Sequence, residues 1–501
     1  MKGDFKMIIR RMKIGNYRNL DGVTIHFHEE INFLVGENNI GKTNILELLH
    51  IIFNRRGFNE KDFSNPGKPI EIELEILLNE GEEGVFDDYF TADKSIKSIE
   101  IIVKQETIDD NIIYIEKNTG DQLFRNQVVN ANFISYGSVR QPDKELSFDD
   151  RENNFLNKII KVHIEERKET TYLNTDAVDE MVTFINNLIN KIKTFNLFDI
   201  RASYDQDISN LLGRIIQLQS EEKFEIKDLG EGIQFINSIP LVLLNQIARI
   251  IKADGENRIL DIEGKKVLYL IVSIDEPELH LHPHSQRFFI HYLRDILSGK
   301  NEKFNELLKE IFNLDYLKGQ LITITHSPFI LLNDYGYISR LYKENKKLKF
   351  ISGTKLNIPN DKIKDLHRFF GDLKEAFFAR KVLVVEGDTE LGAVTSLFDR
   401  IGTHIHSKGI SVVNARSVDS VPNVMELFSK FGIEAYGYID KDDGNLEKEK
   451  FKGFNIYQTE EEEFEDEIAE CLSLEGLLNF LKDRGVNIRN FTAKTVKKYI
   501  K

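Results

Sequence analysis

Cysteine is almost absent, with one in 501 residues. A single thiol excludes a disulfide framework and a cysteine-rich zinc site, and points to a reducing, intracellular home. The opening stretch MKGDFKMIIRRMKIGNY lacks the apolar core of a signal peptide. No apolar run approaches the ~18–20 residues needed to cross a bilayer. A cytoplasmic location with no membrane partner is therefore the expectation. Positive charge is in deficit, for a net charge of −15. That argues against a surface coated with phosphate-binding groups, but leaves room for a local basic face or for metal ions that offset the average. Repeats at solenoid periods are also missing.

What is present is ordinary for a globular chain: 41% hydrophobic and 30% charged residues. The length suits about two to four domains and a sizeable core. The first region alternates strands and helices. MIIRRMKIGNYRNL, GVTIHF and IEIELEILL read as strands, and NILELLHIIFN as a helix after INFLVGENNIGKT. From about 150 to 245 the pattern turns helical, in RENNFLNKIIKVHIEERK, DAVDEMVTFINNLINKIKTF and DISNLLGRIIQLQS. This segment is either an arm or dimerisation insert, or plain helical packing onto the sheet. Strand-like runs return at VLYLIVSID and GQLITITHS, and a second α/β series begins at KVLVVEG. The domain boundary is expected between 345 and 375. A very acidic run, TEEEEFEDEIAE, follows near the end, and a run of that charge is usually a solvated face.

GENNIGKT, Gly36 to Thr43, fits G-x-x-x-x-G-K-[ST] between a strand and a helix. Gly36, Asn38, Asn39, Gly41 and Asn44 frame a loop whose N–H groups curl around phosphate oxygens. Lys42 reaches the β- and γ-phosphates and Thr43 holds Mg²⁺. LYLIVSIDEPELHLHP is an apolar strand ending in carboxylates. Asp275 suits Mg²⁺ through water, and Glu276 suits polarising the attacking water. The bland alternative is a solvated acidic turn. LITITHSPFIL places His326 after another strand, in reach of a γ-phosphate; a lone histidine is more often structural, and its order after the other two motifs favours function.

A second constellation is acidic. Glu386 follows KVLVV, with Glu390 one helical turn on. AYGYIDKDDG ends a strand in Asp440 and Asp442, two apart and so on one side of an extended chain. In a parallel sheet, the carboxyl ends of neighbouring strands meet at one crevice. Carboxylates that close repel unless cations neutralise them, and Mg²⁺ or Mn²⁺ suits oxygen ligands. Such a cluster activates water against a phosphodiester. Two unrelated acidic loop tips are the alternative.

The three nucleotide segments resemble the ABC-type ATPases of the RecF, SMC and Rad50 group. The resemblance implies that DLGEGIQ is a signature loop whose Gly230 and Gly232 close on the nucleotide of a second protomer. The family's glutamine loop has no clear counterpart. ARKVLVVEGDTE with YIDKDDG resembles the Toprim domain. Toprim after an ABC-type ATPase resembles the OLD (overcoming lysogenization defect) nucleases, and is similar to the Gabija nuclease subunit and to retron-associated nucleases of anti-phage defence. That likeness implies an α/β ABC-type ATPase domain at 1–355 with a helical insert at about 150–225, then a Toprim domain at 356–501 with a parallel sheet. It implies ATP as cofactor, and Mg²⁺ at the Toprim site with Mn²⁺ or Ca²⁺ able to substitute. Glu386 would hold metal or act as a base, and Glu390, Asp440 and Asp442 would hold metal. Of the late acids Glu465 is favoured, with Glu463 second. Among the late lysines Lys494, Lys497 and Lys498 compete, and Lys497 is taken.

The leading reading is an ATP-controlled, metal-dependent DNA endonuclease acting on double-stranded DNA as a homodimer or higher oligomer, with a co-encoded helicase or retron reverse transcriptase as candidate partner. The alternative is an ATP-driven DNA clamp or sensor without nuclease activity. A topoisomerase is disfavoured because no separate region supplies a tyrosine nucleophile. A transport ATPase would leave the second half unexplained.

Overall fold

The computed structural model describes residues 8–77, 98–125, 128, 132–137, 146, 155–156, 158–159, 175–192, 200–204, 216–220, 223, 225–254, 258–358, 366, 370–441, 451–471 and 473–485. The chain divides into two compact units, one of Met1–Leu34, Asn39–Leu331 and Tyr337–Phe350, the other of Val35–Asn38, Leu332–Gly336 and Ile351–Lys501.

The first unit is built on two sheets. One is antiparallel: β1 (Ile8–Gly15), β2 (Thr24–His26), β4 (Ile70–Leu77), β5 (Ser98–Gln105), β6 (Ile113–Glu116) and β7 (Gln122–Leu123), in the order β2-β1-β4-β5-β6-β7. Strands β4 and β5 bury every second residue, as a sheet with one covered face requires. The other sheet is mixed. It contains β3 (Ile31–Gly36), β8 (Phe133–Tyr136), β11 (Leu260–Ile262), β12 (Lys265–Asp275), β13 (Tyr316–Ile324), β14 (Ile338–Glu344) and β15 (Lys347–Ser352). Here β12, β13 and β3 run parallel. The β3 strand and the β12 run Val267–Asp275 are buried throughout, which is why they read as unbroken apolar runs.

Helix α1 (Lys42–Asn54) buries Ile45, Leu46, Leu48, Leu49, Ile51, Ile52 and Phe53. That is more than one helical face. One hydrophobic core joins these residues to Met12, Ile72 and Ile101 of the antiparallel sheet and to Ile271 and Ile322 of the mixed one. A polar tie also crosses between the sheets. Gln320 of β13 is fully buried; it accepts the Ile9 N–H at 3.2 Å and donates to the carbonyls of Ile9 at 2.9 Å and His28 at 2.8 Å.

The expected helical segment is partly so. DAVDEMVTFINNLINKI lies within α2 (Thr175–Ile192), but the end of DISNLLGRIIQLQS is not helix. Ile216–Ser220 is a strand, β10, paired antiparallel with β9 (Ile200–Tyr204). Its alternation sets Leu218 inward opposite Ala202, and cross-strand pairing outweighs the helical spacing read locally. The helices α3 (Glu231–Asp254), α4 (Pro283–Leu297) and α5 (Glu302–Phe312) complete the unit. By length and composition, α3 is the one described helix apolar enough to cross a membrane, and 72% of that window is buried within the protein.

The second unit carries a four-stranded sheet in the order β17-β16-β18-β19. Its strands are β16 (Lys381–Val385), β17 (Ile410–Asn414), β18 (Glu434–Ile439) and β19 (Asn455–Gln458), all parallel. Helices α6 (Asp388–Arg400), α7 (Val421–Lys430), α8 (Phe464–Cys471) and α9 (Leu474–Asp483) follow the strands. Before β16, residues 370–373 are helical and the chain then tightens to a 3-10 turn over Lys374–Phe378. Phe377 there packs against Phe428 and Phe431 at centroid distances of 5.3 and 5.0 Å.

Replacing Gln320 by Leu leaves three backbone groups, those of Ile9 buried and that of His28 partly so, without this partner. Urea unfolding of the full chain should show a loss of about 2–4 kcal/mol in the first unit. A loss below roughly 0.5 kcal/mol would show that the tie is dispensable.

Candidate functional sites

The nucleotide loop starts where β3 runs out of apolar residues. Gly36 has φ 142°, Asn39 φ 57° and Gly41 φ 116°, values that favour glycine and asparagine. Gly41 precedes α1, so Lys42 and Thr43 open the helix. Its N–H groups face the loop, the arrangement that receives phosphate. Lys42 is buried and Thr43 is exposed.

The loop is braced from the turn after β1, which the sequence reading did not single out. Asn19 donates to the Ile40 carbonyl at 2.8 Å and accepts from Asn44 at 2.7 Å. A side chain at Gly41 would meet Asn19 Nδ2 at 2.6 Å. Arg18 donates to Asn44 at 2.7 Å, to Glu47 at 2.6 Å and to the buried Asp62 at 2.6 Å. The guanidinium holds the Glu47 carboxyl below its usual range. Asn44, expected to meet the nucleotide, thus commits its side chain to this brace. No spacing rule marks Arg18 or Asn19, because their partners lie far along the chain.

Asp275 ends β12 opposite Ile324 of β13, and is buried. Glu276 next to it adopts φ 47° while its N–H donates to the Ile324 carbonyl at 3.0 Å. A left-handed glutamate is uncommon, and such residues cluster at functional sites. His326, two residues beyond β13, places Nε2 3.4 Å from Glu276 Oε1. Burial lowers the His326 pKa, the charge of Lys42 lowers it further, and Glu276 opposes them. Lys42, Glu276 and His326 therefore share one electrostatic neighbourhood, with a neutral imidazole favoured.

Gly230 and Gly232 flank the start of α3. A Cβ on Gly230 would meet nothing within 4 Å, whereas one on Gly232 would lie 2.1 Å from the His280 carbonyl oxygen. His280 Nε2 also lies 3.0 Å from Glu231 Oε2. Gly230 is thus open, while Gly232 is seated on the turn that follows Glu276.

In the second unit, the parallel register sets Val385 opposite Tyr438. Glu386 and Asp440 then leave neighbouring strand ends together, and the Asp440 N–H donates to Glu386 Oε2 at 3.3 Å. Glu390 is buried, and its Oε2 accepts the Gly387 N–H at 2.9 Å, capping α6. The Tyr438 hydroxyl is pushed up to about 12, by burial first and then by the charges of Glu467, Asp440 and Glu390. Its ring packs edge-on against Phe464 at 5.7 Å.

Among the late acids, Glu463 and Glu465 are half-buried near the start of α8. Glu467, not singled out from the sequence, is the one whose charge reaches Tyr438 alongside Asp440. It lies one turn past Phe464, on the same helix face. Its Oε2 accepts the Glu460 N–H at 2.8 Å. Asp442, Lys494, Lys497 and Lys498 lie outside the described residues.

Among the described residues no three histidines, cysteines or carboxylates form a ready metal cage. The Glu386–Asp440 pair still suits a hard cation, since Mg²⁺ is commonly held by one or two carboxylates with water completing its shell. Thr43 and Asp275 offer the corresponding hydroxyl and carboxylate in the first unit.

Comparison with known proteins covers both units. Residues 31–333 match the family described as "AAA domain, putative AbiEii toxin, Type IV TA system". Residues 377–442 match "Overcoming lysogenization defect protein-like, TOPRIM domain". The Septu protein PtuA of Bacillus thuringiensis is 22% identical over 346 residues, 65% of this chain and 73% of that protein. The DNA replication and repair protein RecF of Clostridium kluyveri is 24% identical over 394 residues, 75% of this chain and 98% of its own. Among solved structures, the Smc head bound to the C-winged helix domain of ScpA covers 69% of this chain and 97% of its own, with TM-score 0.39 and 14% identity. The recombination mediator RecF with ATP covers 70% and 100%, with TM-score 0.33 and 11% identity.

Gly230 and Gly232 should separate in thermal melts. Gly232→Ala forces the His280 carbonyl aside and should lower the Tm by roughly 2–6 °C. Gly230→Ala should leave it within about 1 °C. Equal melting temperatures would contradict the close packing at Gly232.

Proposed function

The chain belongs to the AAA-domain family matched over more than half its length and, with its OLD-like Toprim domain, is an OLD-type ATPase–Toprim protein; from this we propose that it binds and hydrolyses ATP and cleaves DNA in a divalent-metal-dependent reaction. The observation that carries the nuclease half is the meeting of Glu386 and Asp440 at adjacent parallel strand ends. The Toprim match and the similarity to the Septu protein support an ATP-dependent, defence-type nuclease. We assign the ATPase domain to 1–355, the Toprim domain to 356–501, and the protein to the cytoplasm.

In the ATPase domain, loop N–H groups from Gly36 to Asn44 and the Lys42 ammonium would bind the β- and γ-phosphates. Thr43 and Asp275 would hold Mg²⁺. Glu276 would orient the attacking water and take its proton, with His326 beside it toward the γ-phosphate. Gly230 and Gly232 would face the nucleotide of a second protomer, making the working form a homodimer or higher oligomer. In the Toprim domain, Glu386 and Asp440 would hold Mg²⁺ or Mn²⁺, with Asp442 and Glu390 beside them. Glu465 or Glu467 would supply the later carboxylate and Lys497 a compensating charge. A divalent ion held there would neutralise the carboxylates against the phosphodiester and supply an activated water. A co-encoded helicase or retron reverse transcriptase is the proposed partner beside DNA.

Purified protein with Mg²⁺ or Mn²⁺ should nick or linearise supercoiled plasmid. Glu386→Ala and Asp440→Ala should each lower cleavage at least about 100-fold, the scale of a lost transition-state electrostatic contact, with ATP hydrolysis retained. Lys42→Ala should remove ATP hydrolysis. Plasmid left intact with either metal at every ATP concentration would favour a DNA clamp or sensor instead.

A further inference from the structure

The roles above leave unused a carboxylate that sits between them. Glu278 follows Glu276 by two residues, on a turn closed by the Leu279 N–H to the Glu276 carbonyl at 3.2 Å and the Leu281 N–H to the Glu278 carbonyl at 3.0 Å. Its Oε1 reaches across to the other loop of the site and accepts the His326 N–H at 2.6 Å. Its Oε2 is buried, and a side-chain hydrogen bond with Thr325 also engages the carboxyl. Giving up a hydrogen bond is costly for a buried carboxylate, so the bond to the backbone of His326 holds the two loops together.

A second tie runs parallel to it. Gln286 of α4 donates to the Leu281 carbonyl at 2.8 Å and accepts the Ser327 hydroxyl at 2.6 Å. Gln286 is itself buried. The turn after Glu276 is thus bound twice to the loop that carries His326, once directly at the His326 N–H and once through Gln286 to Ser327. This network surrounds the 3.4 Å approach of His326 Nε2 to Glu276 Oε1. Burial raises the Glu278 pKa, while the His326 N–H draws it back down.

We infer that Glu278 is a positioning residue for ATP hydrolysis: by accepting the His326 N–H it sets the imidazole against Glu276 without touching the nucleotide. The inference rests on the reading of Glu276 and His326 as the hydrolytic pair. It requires the carbonyl-type acceptor at that point, not the negative charge. Substitutions therefore sort by whether they keep the acceptor within reach.

The test uses the full chain and four readouts: kcat and KM for ATP, Kd for a fluorescent ATP analogue, and Tm. Glu278→Ala should lower kcat by about 10–100-fold with Kd within about 3-fold, the pattern of a group that acts on the chemical step. Glu278→Gln keeps an acceptor at the same reach and should recover most of the lost rate. Glu278→Asp keeps the charge but withdraws the acceptor by one methylene, and should fall with Ala. In a His326→Ala background, Glu278→Ala should cost less than about 3-fold more, because residues acting as one unit are not additive. A wild-type kcat in Glu278→Ala or Glu278→Asp overturns the inference. So does equal damage in Gln and Ala, or full additivity with His326→Ala. Should Glu278→Ala melt far below the wild type, the Asp and Gln pair carries the decision. ATP hydrolysis that survives Lys42→Ala, or is absent from the wild type, overturns instead the ATPase reading on which this one stands.

Discussion

The parallel ladder between β12 and β13 is the constraint on which the nucleotide site depends. It pairs Val267 with Tyr316 and continues in register to Asp275 with Ile324. At its end the Glu276 N–H still bonds to the Ile324 carbonyl, although Glu276 has already turned left-handed. One more residue of extension would carry Glu276 to the other face of the sheet, since side chains alternate. The ladder therefore decides that Glu276 leaves the sheet beside His326. β3 joins the other edge of β13 with Leu34 opposite Ile324, so the loop bearing Lys42 begins at the same level.

The Toprim sheet solves a different electrostatic problem with the same geometry. Its strands also release their loops at one carboxyl edge, but what emerges there is acidic. The loop before α1 presents N–H groups and a buried lysine, the set proposed above to receive phosphate. At the Glu386–Asp440 edge, two carboxylates would repel phosphate unless a cation stood between. Glu390 stays clear of that contest on one side, because one of its oxygens is taken by the Gly387 N–H. Helix capping thus claims one carboxylate of the turn on which the proposed metal site lies.

Much of this was legible in the residues. The G-x-x-x-x-G-K-T loop, the apolar strands that run up to Asp275 and Glu386, and the order of the motifs all follow from local pattern. The antiparallel β9–β10 ribbon was not, because IQLQS satisfies helical and extended spacing alike until Ala202 is known to face Leu218. The brace that holds the Asn44 side chain between Asn19 and Arg18 was likewise not legible, because those partners lie far along the chain. Glu467 was lost in an acidic run where charge alone cannot rank candidates; only the fold brings it toward Tyr438.

The sequence by itself determined two chemistries and their order: a phosphate-receiving loop first, and an acidic strand-turn later. Glycines at positive φ, a lysine at a helix start and carboxylates after apolar runs carry that information within a few residues of each other. Tertiary structure alone decided which distant groups stand together: Arg18 with Asp62, Gln320 between two sheets, Glu278 beneath His326. Those pairings depend on strand register and buried hydrogen bonds between segments far apart along the chain. No local periodicity encodes such contacts, because their energies exist only once the intervening core has closed.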